Sequence, residues 1–350
     1  MKSPSKMLAA TVVALAVSAM APAAAADGGA ESASSAGQVV VADRASGTIS
    51  VIDAGTDQLI NSYELPSGGN VPEPMYVTYV KTVNRVFVGD RGNDRLVVFD
   101  ANDYSVVATV AAGSGVFHQW ADPLGRQLWV NNDVDNTVTV IDPVELTVLA
   151  TVEMPADLVA AGFKPHDVIL DPKGRSAYVT MLGGTTHDWI VQFDTETYAE
   201  VNRASVGLDP HVSLTQRNKL IYVAAQGSNV VTVLNRSTLA FVDEITIPGA
   251  HGAAMSPSGK VFYTTNLPGG GTDGLFAIDT RTNVVLGSAD TPYPVPHNVV
   301  ITKNDKLFLT HSGATADKVT IYDVTTASPI PEFRAEVTVG SNPFGLAYVR

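Results

Sequence analysis

The stretch Gln127-Leu-Trp-Val-Asn-Asn-Asp-Val-Asp-Asn-Thr-Val-Thr-Val-Ile-Asp142 holds two alternating apolar runs, a polar turn between them and a closing aspartate. Because side chains alternate between the two faces of a strand, each run predicts a β-strand and the pair predicts a hairpin. The same pattern recurs along the chain in seven copies. The copies are residues 39–53, 85–100, 127–142, 176–194, 220–235, 260–279 and 306–323.

The spacing of the copies predicts the architecture. Their closing residues, 41 to 52 positions apart, are Asp53, Asp100, Asp142, Asp194, Asn235, Asp279 and Asp323. Repeats of this length are typical of four-stranded propeller blades, so seven copies predict an all-β, seven-bladed β-propeller. Residues 342–349 match the start of a repeat whose remainder, residues 39–65, lies at the other end of the chain. We therefore expect N- and C-terminal strands to close the last blade, which leaves no open sheet edge.

The first residues of the chain predict export. Lys2 and Lys6 precede an apolar run over residues 7–21, and small residues follow at 23–26. This is the order of a secretory signal peptide, and the run is shorter than the roughly 20 residues of a membrane span. We expect residues 1–26 to be a cleaved signal peptide, 27–38 a flexible lead-in and 39–350 a single propeller. The protein is then periplasmic or secreted, with no membrane span.

Composition limits the partners and the chemistry. The chain has no cysteine, which excludes disulfides and thiolate metal ligands. Its formal net charge is −13 and its basic residues are not clustered, which argues against binding to nucleic acid. We expect a monomer whose partner is a small molecule or a metal ion, or a protein bound at the propeller rim.

Several segments within the copies carry a family resemblance. Arg175-Ser-Ala-Tyr-Val-Thr180 and Leu220-Ile-Tyr-Val-Ala224, with Pro-X-Gly turns such as Asp171-Pro-Lys-Gly174, resemble the YVTN-type β-propeller repeat family. The resemblance covers essentially all of the chain after residue 38 and implies the propeller fold. It implies no single function, since that family includes surface-layer proteins, periplasmic proteins and relatives of propeller enzymes.

Superposing the copies places most of the histidines in one column, where the chain begins the innermost strand of each blade. The column reads Met75, His118, His166, His211, His251, His297 and Phe344. Innermost strands surround the central channel, so these residues should form a ring at its mouth. Neighbouring imidazoles on a ring can share a metal ion, which makes the column a predicted metal site. Its predicted ligands are His118, His166, His211, His251, His297 and Met75. The alternative is structural, with each imidazole bonded to the backbone of the neighbouring blade.

The donor types favour a transition metal. Imidazole with few carboxylates suits a borderline or soft ion better than Mg²⁺ or Ca²⁺, and the Met75 thioether favours copper, with zinc and iron(II) left open. The arrangement resembles nitrous oxide reductase and the carotenoid oxygenases, two propeller enzyme classes with histidine-held copper or iron. The chain departs from the first in lacking a cysteine-bearing copper domain and from the second in being much shorter.

A second set of polar residues follows the second strand of each blade, on the side where the ring should lie. The predicted ligand-binding residues are Arg44, Arg91, Asn132, Gln226, Asn266 and His311. Arg44 and Arg91 occupy matching positions, in Ala-Asp-Arg44 and Gly-Asp-Arg91, and two guanidinium groups could clamp a carboxylate or another anion. The alternative is that each arginine is paired with a nearby aspartate.

These features leave three functions open. The first is an exported propeller that binds a transition-metal ion or a small ligand at the histidine ring. The second is a metal-dependent enzyme, either a copper or iron oxidoreductase or a lyase acting on an anionic substrate. The third is a structural or surface-interaction protein, which would give the histidines no task. The sequence identifies no catalytic residue.

Overall fold

The sheets confirm the predicted seven-bladed β-propeller. The computed structural model describes residues 36–214 and 219–350, which form seven antiparallel sheets of four strands each. The predicted signal peptide and residues 27–35 of the predicted lead-in lie outside the described residues. Among the described residues, no helix has both the length and the hydropathy needed to cross a membrane.

The strands follow one another from the axis outwards in each blade. The first three strands are β1 (Gln38–Asp43), β2 (Thr48–Asp53) and β3 (Gln58–Glu64). Blade 1 contains β4 (Pro74–Val80), β5 (Arg85–Asp90), β6 (Arg95–Asp100) and β7 (Val106–Ala111). Blade 2 contains β8 (Val116–Ala121), β9 (Leu128–Asn132), β10 (Thr137–Asp142) and β11 (Thr147–Glu153), and a five-residue helix, α1 (Ala156–Ala160), follows it. Blade 3 contains β12 (Lys164–Leu170), β13 (Ser176–Leu182), β14 (Asp188–Asp194) and β15 (Glu200–Val206).

The second half of the chain repeats this order. Blade 4 contains β16 (Pro210–Leu214), β17 (Leu220–Ala225), β18 (Val230–Asn235) and β19 (Phe241–Thr246). Blade 5 contains β20 (Ala250–Met255), β21 (Val261–Asn266) and two longer strands, β22 (Gly270–Asp279) and β23 (Val284–Pro294). Blade 6 contains β24 (Pro296–Ile301), β25 (Lys306–His311), β26 (Lys318–Asp323) and β27 (Glu332–Thr338), and the last strand is β28 (Pro343–Val349).

Blade 7 joins the two ends of the propeller, as the sequence predicts. Its sheet has the order β28-β1-β2-β3, and β28 pairs antiparallel with β1. Val39 lies opposite Tyr348 and Val40 opposite Ala347. Because this pairing connects residues about 310 positions apart, it closes the circle of blades without a free sheet edge between the first and the last.

The hydrophobic core lies between the blades. The described residues contain seven buried clusters, and each one combines side chains from two neighbouring blades. In the cluster between blades 7 and 1, for example, Val40 and Val51 pack with Val86 and Val97, all fully buried. Strand alternation makes this arrangement possible, because successive side chains point towards opposite neighbouring blades. Each blade is therefore held by apolar contacts on both faces.

The closing residue of each outer hairpin has a local structural role. The Asp142 carboxylate accepts hydrogen bonds from the backbone N–H groups of Val144 and Glu145, and Leu146 then takes a left-handed conformation with φ 58°. The Asp194 carboxylate does the same with the next turn, at 3.0 and 2.8 Å. Aspartate and asparagine favour such turns because their short side chains bond the backbone two and three residues on. The recurring aspartate of the sequence pattern is thus a turn residue.

Candidate functional site

Six of the seven innermost strands share a β-bulge near their start. In blade 3, Pro165 pairs with Met181 and Val168 with Val179, so His166 and Asp167 together oppose the single residue Thr180. A β-bulge of this kind changes the direction of the side chain of its first residue. We call the first of these two residues the ring position. Blade 4 has no bulge there, but His211 occupies the equivalent place opposite Ala224.

Strand register corrects the predicted column at one residue. In blade 2, Val116 pairs with Asn132 and Gln119 with Val130, so Phe117 occupies the ring position and His118 is the second bulge residue. The prediction that His118 shares a column with the other histidines is wrong by one residue. The seven ring positions are Met75, Phe117, His166, His211, His251, His297 and Phe344.

The ring divides into a histidine arc and an aromatic arc. The histidine arc, formed by blades 3 to 6, is buried, and its rings are in contact: centroids are 4.6 Å apart for His166 and His211, 3.7 Å for His211 and His251, and 4.6 Å for His251 and His297. In the other arc, Met75 is buried and the rings of Phe117 and Phe344 are half-buried, with centroids 6.3 Å apart. The channel mouth is therefore polar on one side and apolar on the other.

Three histidines come together closely enough to share an ion. His118, His166 and His211 each offer a ring nitrogen, and these three nitrogens lie within 4.8 Å of one another. Nε2 of His166 is 3.0 Å from Nε2 of His211. Two ligands of a tetrahedral ion with bonds of about 2.0–2.1 Å lie roughly 3.3 Å apart, so the His166–His211 pair has a spacing close to that of two metal ligands. The one-residue offset of His118 does not keep it from this cluster.

Two aspartates of the following blades lie against the first two of these histidines. Nδ1 of His118 lies 2.9 Å from Oδ1 of Asp167, and Nε2 of His166 lies 3.3 Å from Oδ1 of Asp209. The contact places Nδ1 of His118 against the Asp167 carboxylate and leaves Nε2 of His118, which is buried without a hydrogen-bond partner, as the nitrogen available to an ion. A carboxylate that orients an imidazole in this way is the usual second partner of a metal-binding histidine.

Several nitrogens of the site are buried without a hydrogen-bond partner. They are Nε2 of His118, Nδ1 of His211 and both ring nitrogens of His251. A buried polar atom with no partner costs about 1–3 kcal/mol, so the three imidazoles are not explained by internal hydrogen bonding. Buried nitrogens without partners are expected where a protein binds a metal ion or another ligand.

Burial also fixes the protonation of the site. It lowers the pKa of His211 and the pKa of His297 to about 3, and it lowers the pKa of His118, His166 and His251 well below the usual value for imidazole. The imidazoles are therefore neutral at pH 7 with a lone pair on one nitrogen, the form that binds metal ions.

Threonines of the second strands hold the ring residues in place. The Thr180 hydroxyl accepts the N–H of Asp167 at 2.9 Å and donates to the carbonyl of Pro210 in the next blade, also at 2.9 Å. Thr265 and Thr310 make equivalent bridges, to the carbonyls of His297 and Phe344. Each bridge ties the bulge of one blade to the innermost strand of the next, at the ring position for Thr265 and Thr310 and one residue before it for Thr180, which fixes the mutual placement of the ring residues.

Both predicted ligand-binding arginines form ion pairs: Arg91 with an aspartate, as the alternative predicts, and Arg44 with a glutamate. Arg44 contacts Glu73, with Nη2 2.5 Å from Oε1, and Arg91 contacts Asp133, with Nη2 2.9 Å from Oδ1. Each acidic partner lies in a neighbouring blade and is not the aspartate that precedes the arginine in the sequence. Both guanidinium groups stay partly exposed, at 38% and 24% of the side chain.

Structural contacts account for three of the other predicted ligand-binding residues. The Asn132 amide donates to two threonines of its own blade, at 2.9 Å each, and Gln226 donates to Asp209. His311 is bonded at both nitrogens, by the carbonyl of Pro294 at 3.2 Å and the hydroxyl of Thr320 at 2.9 Å. Asn266 ends β21 opposite Ala250, at the level of the ring.

Sequence reasoning missed the carboxylates of the site and a tyrosine. Asp167 and Asp209 lie one residue after and two residues before a ring histidine, and that adjacency was the only available signal. Tyr76 follows Met75 as the second bulge residue and stacks on His118, with centroids 3.6 Å apart. Its role depends on the strand register, which the sequence pattern alone does not give.

The chain belongs to a known family of propellers. A family model described as a lactonase, 7-bladed β-propeller, matches residues 30–240. The comparison supports a lactonase-type propeller family and propeller neighbours, and it does not confirm the narrower YVTN-type assignment. A search of curated proteins gave no significant match.

Solved structures confirm the fold at low sequence identity. A putative 6-phosphogluconolactonase from Bacteroides uniformis is 16% identical with TM-score 0.69, over 90% of this chain and 100% of that one. The dihydro-heme d1 dehydrogenase NirN in complex with DHE is 14% identical with TM-score 0.63, over 91% and 76%. The hydrazine synthase of Kuenenia stuttgartiensis is 18% identical with TM-score 0.61, over 74% and 78%. At these identities the likeness extends to the fold alone.

Proposed function

We propose that this member of the seven-bladed lactonase β-propeller family is an exported protein that binds one transition-metal ion through His118, His166 and His211. The observation that carries the proposal is the convergence of three buried ring nitrogens within 4.8 Å. Export rests on the signal-like residues 1–26. Copper, zinc and iron(II) all suit imidazole ligands, and these three are the candidate ions.

Electrostatics and tautomer support the same assignment. Nδ1 of His118 contacts the Asp167 carboxylate, and Nε2 of His118 is buried with no hydrogen-bond partner, so Nε2 is the nitrogen available to an ion. A neutral imidazole with its second nitrogen bonded to a carboxylate is a stronger ligand than a free one. Met75 occupies the ring position of blade 1, and Phe117 separates it from His166 along the ring. The Met75 thioether therefore gives less support for copper than the sequence indicates.

Metal content tests the proposal. Protein isolated without a polyhistidine tag is loaded with Cu²⁺, Zn²⁺ or Fe²⁺, desalted and analysed by plasma mass spectrometry. We expect close to one ion per chain, a raised melting temperature, and loss of both in the His166→Phe variant. Phenylalanine is chosen because it already occupies the ring position in blades 2 and 7. The matched control is His187→Ala, an exposed histidine of a loop, which should retain the ion. An unloaded wild type, or a His166→Phe variant that still holds the ion, would overturn the proposal.

A metal-dependent enzyme is the second candidate; the family description, a lactonase, favours an enzyme, and the histidine cluster suggests the metal. A bound ion lowers the pKa of a water ligand and polarises a carbonyl, and both effects promote hydrolysis of a lactone. This candidate predicts turnover of simple lactones by the metal-loaded wild type and none by His166→Phe. Metal binding without lactone turnover would support the binding function and contradict the lactonase candidate.

A further inference from the structure

A buried carboxyl group lies at one end of the strand pairing that closes the propeller. Asp43 is the last residue of β1, lies opposite Pro343 of β28, and is 0% exposed. A Cβ atom on Gly340 would lie 2.6 Å from Oδ2 of Asp43, so the carboxyl group is packed against the segment that leads into β28. The backbone N–H of Gly340 also donates to the hydroxyl of Ser50 at 3.3 Å. Asp43 therefore lies where the two ends of the propeller meet.

No cation compensates this carboxyl group. Its Oδ2 accepts hydrogen bonds from the hydroxyls of Thr48, at 2.9 Å, and Ser50, at 2.7 Å, whereas its Oδ1 is buried without a partner. Within residues 36–214 and 219–350, no ion pair includes Asp43. The charged and titratable groups of the neighbouring elements are Arg44, which bonds Glu73; Glu64, exposed on β3 opposite Thr48; and, from blade 6, Lys318, which bonds Asp317, and His311, which bonds Pro294 and Thr320.

Two neighbouring blades solve the same position differently. In blade 1, Asp90 ends β5 and forms an ion pair with Arg95, at 2.9 Å. In blade 2, Asn132 ends β9, and its Nδ2 donates to the hydroxyls of Thr137 and Thr139, at 2.9 Å each. Those two threonines occupy the places of Thr48 and Ser50. Blade 7 thus has the carboxyl group of blade 1 in the hydroxyl environment of blade 2, without the cation.

The blade 2 arrangement shows how a neutral group fits this environment. A hydroxyl accepts as well as donates a hydrogen bond, so a protonated Asp43 can donate from Oδ2, the atom that corresponds to Nδ2 of Asn132. An ionised Asp43 would instead keep a negative charge out of water with two hydroxyl donors and no cation, which is unfavourable. Separation of β28 from β1 would return that charge to water.

We infer that Asp43 makes the closure of the propeller sensitive to pH: its neutral carboxyl group favours the pairing of β28 with β1, and its ionisation favours their separation. The inference concerns blade 7 and requires neither a metal ion nor a ligand in the channel.

The direction of the pH effect follows from the two protonation equilibria. Burial raises the pKa of Asp43 from 3.8 to about 7 in the closed blade, and the exposed carboxyl group of the open blade has the ordinary value. Between these values the closed blade holds a proton that the open blade releases. The preference for the closed blade is therefore greatest at acidic pH, decreases as the pH rises towards 7, and is constant above that.

Hydrogen exchange of the full chain, followed by mass spectrometry from pH 5 to pH 8, tests the inference. The quantity compared is the protection of β1 and β28 in the wild type divided by that in Asp43→Asn at the same pH, because intrinsic exchange and other groups such as His311 then cancel. We expect this ratio to fall by about tenfold per pH unit between pH 5 and pH 6, and to level off above pH 7. In β12 and β13, across the propeller, the ratio should not change. A ratio independent of pH in β1 and β28, or an equal change in blade 3, would overturn the inference.

A control variant and a second measurement identify the group that titrates. Asp90→Asn removes the ion-paired carboxylate of blade 1, and its protection relative to the wild type should not depend on pH over this range. Infrared difference spectra at about pH 5.5 should show the C=O stretch of a protonated carboxyl group that is present in the wild type and in Asp90→Asn, absent in Asp43→Asn, and lost from the wild type by pH 8. Absence of this band from the wild type minus Asp43→Asn difference at pH 5.5 would contradict a neutral Asp43.

Discussion

The periphery and the axis of the propeller are built by the same repeat but obey different rules. At the periphery, the closing aspartates of the outer hairpins make the same bonds in successive blades, as Asp53, Asp142 and Asp194 show. At the axis, the ring position changes from methionine to phenylalanine to histidine, and buried nitrogens of His211 and His251 have no partner. A position whose hydrogen bonds are complete is explained by the fold. The axis carries polar groups that the fold does not satisfy, and function is the remaining explanation for them.

The largest effect on stability is expected at the periphery. Nζ of Lys306, in blade 6, lies 2.6 Å from Oδ1 of Asp57 in the closing turn of blade 7, and both side chains are 7% exposed. It also donates to the carbonyl of Ala54 at 2.9 Å. Lys306→Ala leaves a buried carboxylate with less compensation, so we expect a loss of about 3–5 kcal/mol in the free energy of unfolding, measured by urea denaturation.

The control for this change is the outer partner of the same carboxylate. Arg334 contacts Asp57 but is 40% exposed, so Arg334→Gln should cost less than about 1 kcal/mol. Neither variant should lose metal. The claim that the periphery determines stability and the axis determines metal binding would be contradicted by a Lys306→Ala protein that is as stable as the wild type, or by one that has lost its ion.

The next effect concerns pH and a histidine that has partners. Burial lowers the pKa of His311 to about 4, from about 6.5 when unfolded. Between these values the unfolded chain binds a proton at His311 that the folded chain does not. The free energy of unfolding is therefore unaffected by His311 above pH 6.5 and decreases as the pH falls from 6.5 towards 4. The loss is about 3 kcal/mol. Between pH 7 and pH 4, the free energy of unfolding of His311→Gln should decrease by about 3 kcal/mol less than that of the wild type. Parallel pH profiles of the two proteins would contradict this account of His311.

The smallest effect is expected at the axis itself. Both nitrogens of His251 are buried and unbonded, so His251→Phe removes an unsatisfied group and fills the ring position with a residue found there in two other blades. We expect the metal-free variant to be as stable as the wild type or more stable by about 1 kcal/mol in urea. His311→Phe, which deletes two hydrogen bonds, should be destabilised instead. If His251→Phe is the less stable of these two variants, the ring is structural.

The sequence was sufficient for the fold because every blade repeats the same local signals. Alternation predicts the strands, the closing aspartates predict the outer turns, and the partial repeat at residues 342–349 predicts the pairing of β28 with β1. The sequence column is correct for the ring histidines of blades 3 to 6. Pro165, Pro210 and Pro296 mark the start of the innermost strand in three of these blades, and Ala250 stands at that place in the fourth.

Details of the site depended on information that the pattern does not contain. In blade 2 two consecutive aromatic residues, Phe117 and His118, follow Val116, and the sequence column takes His118 where the register places Phe117. The partner of His118 comes from another blade, because the channel brings Asp167 beside it across 49 positions of sequence. The division into a histidine arc and an aromatic arc is likewise visible only when the blades are arranged around one axis.

X-ray absorption spectroscopy of the metal-loaded protein tests the central claim most directly, because it reports the atoms bound to the ion. We predict a first shell that includes three imidazole nitrogens at about 2.0–2.1 Å for Zn²⁺, with the multiple-scattering features of imidazole, and their reduction in His118→Gln. A shell of oxygen atoms alone, or a spectrum unchanged in His118→Gln, would contradict the assignment of His118, His166 and His211 as a metal site.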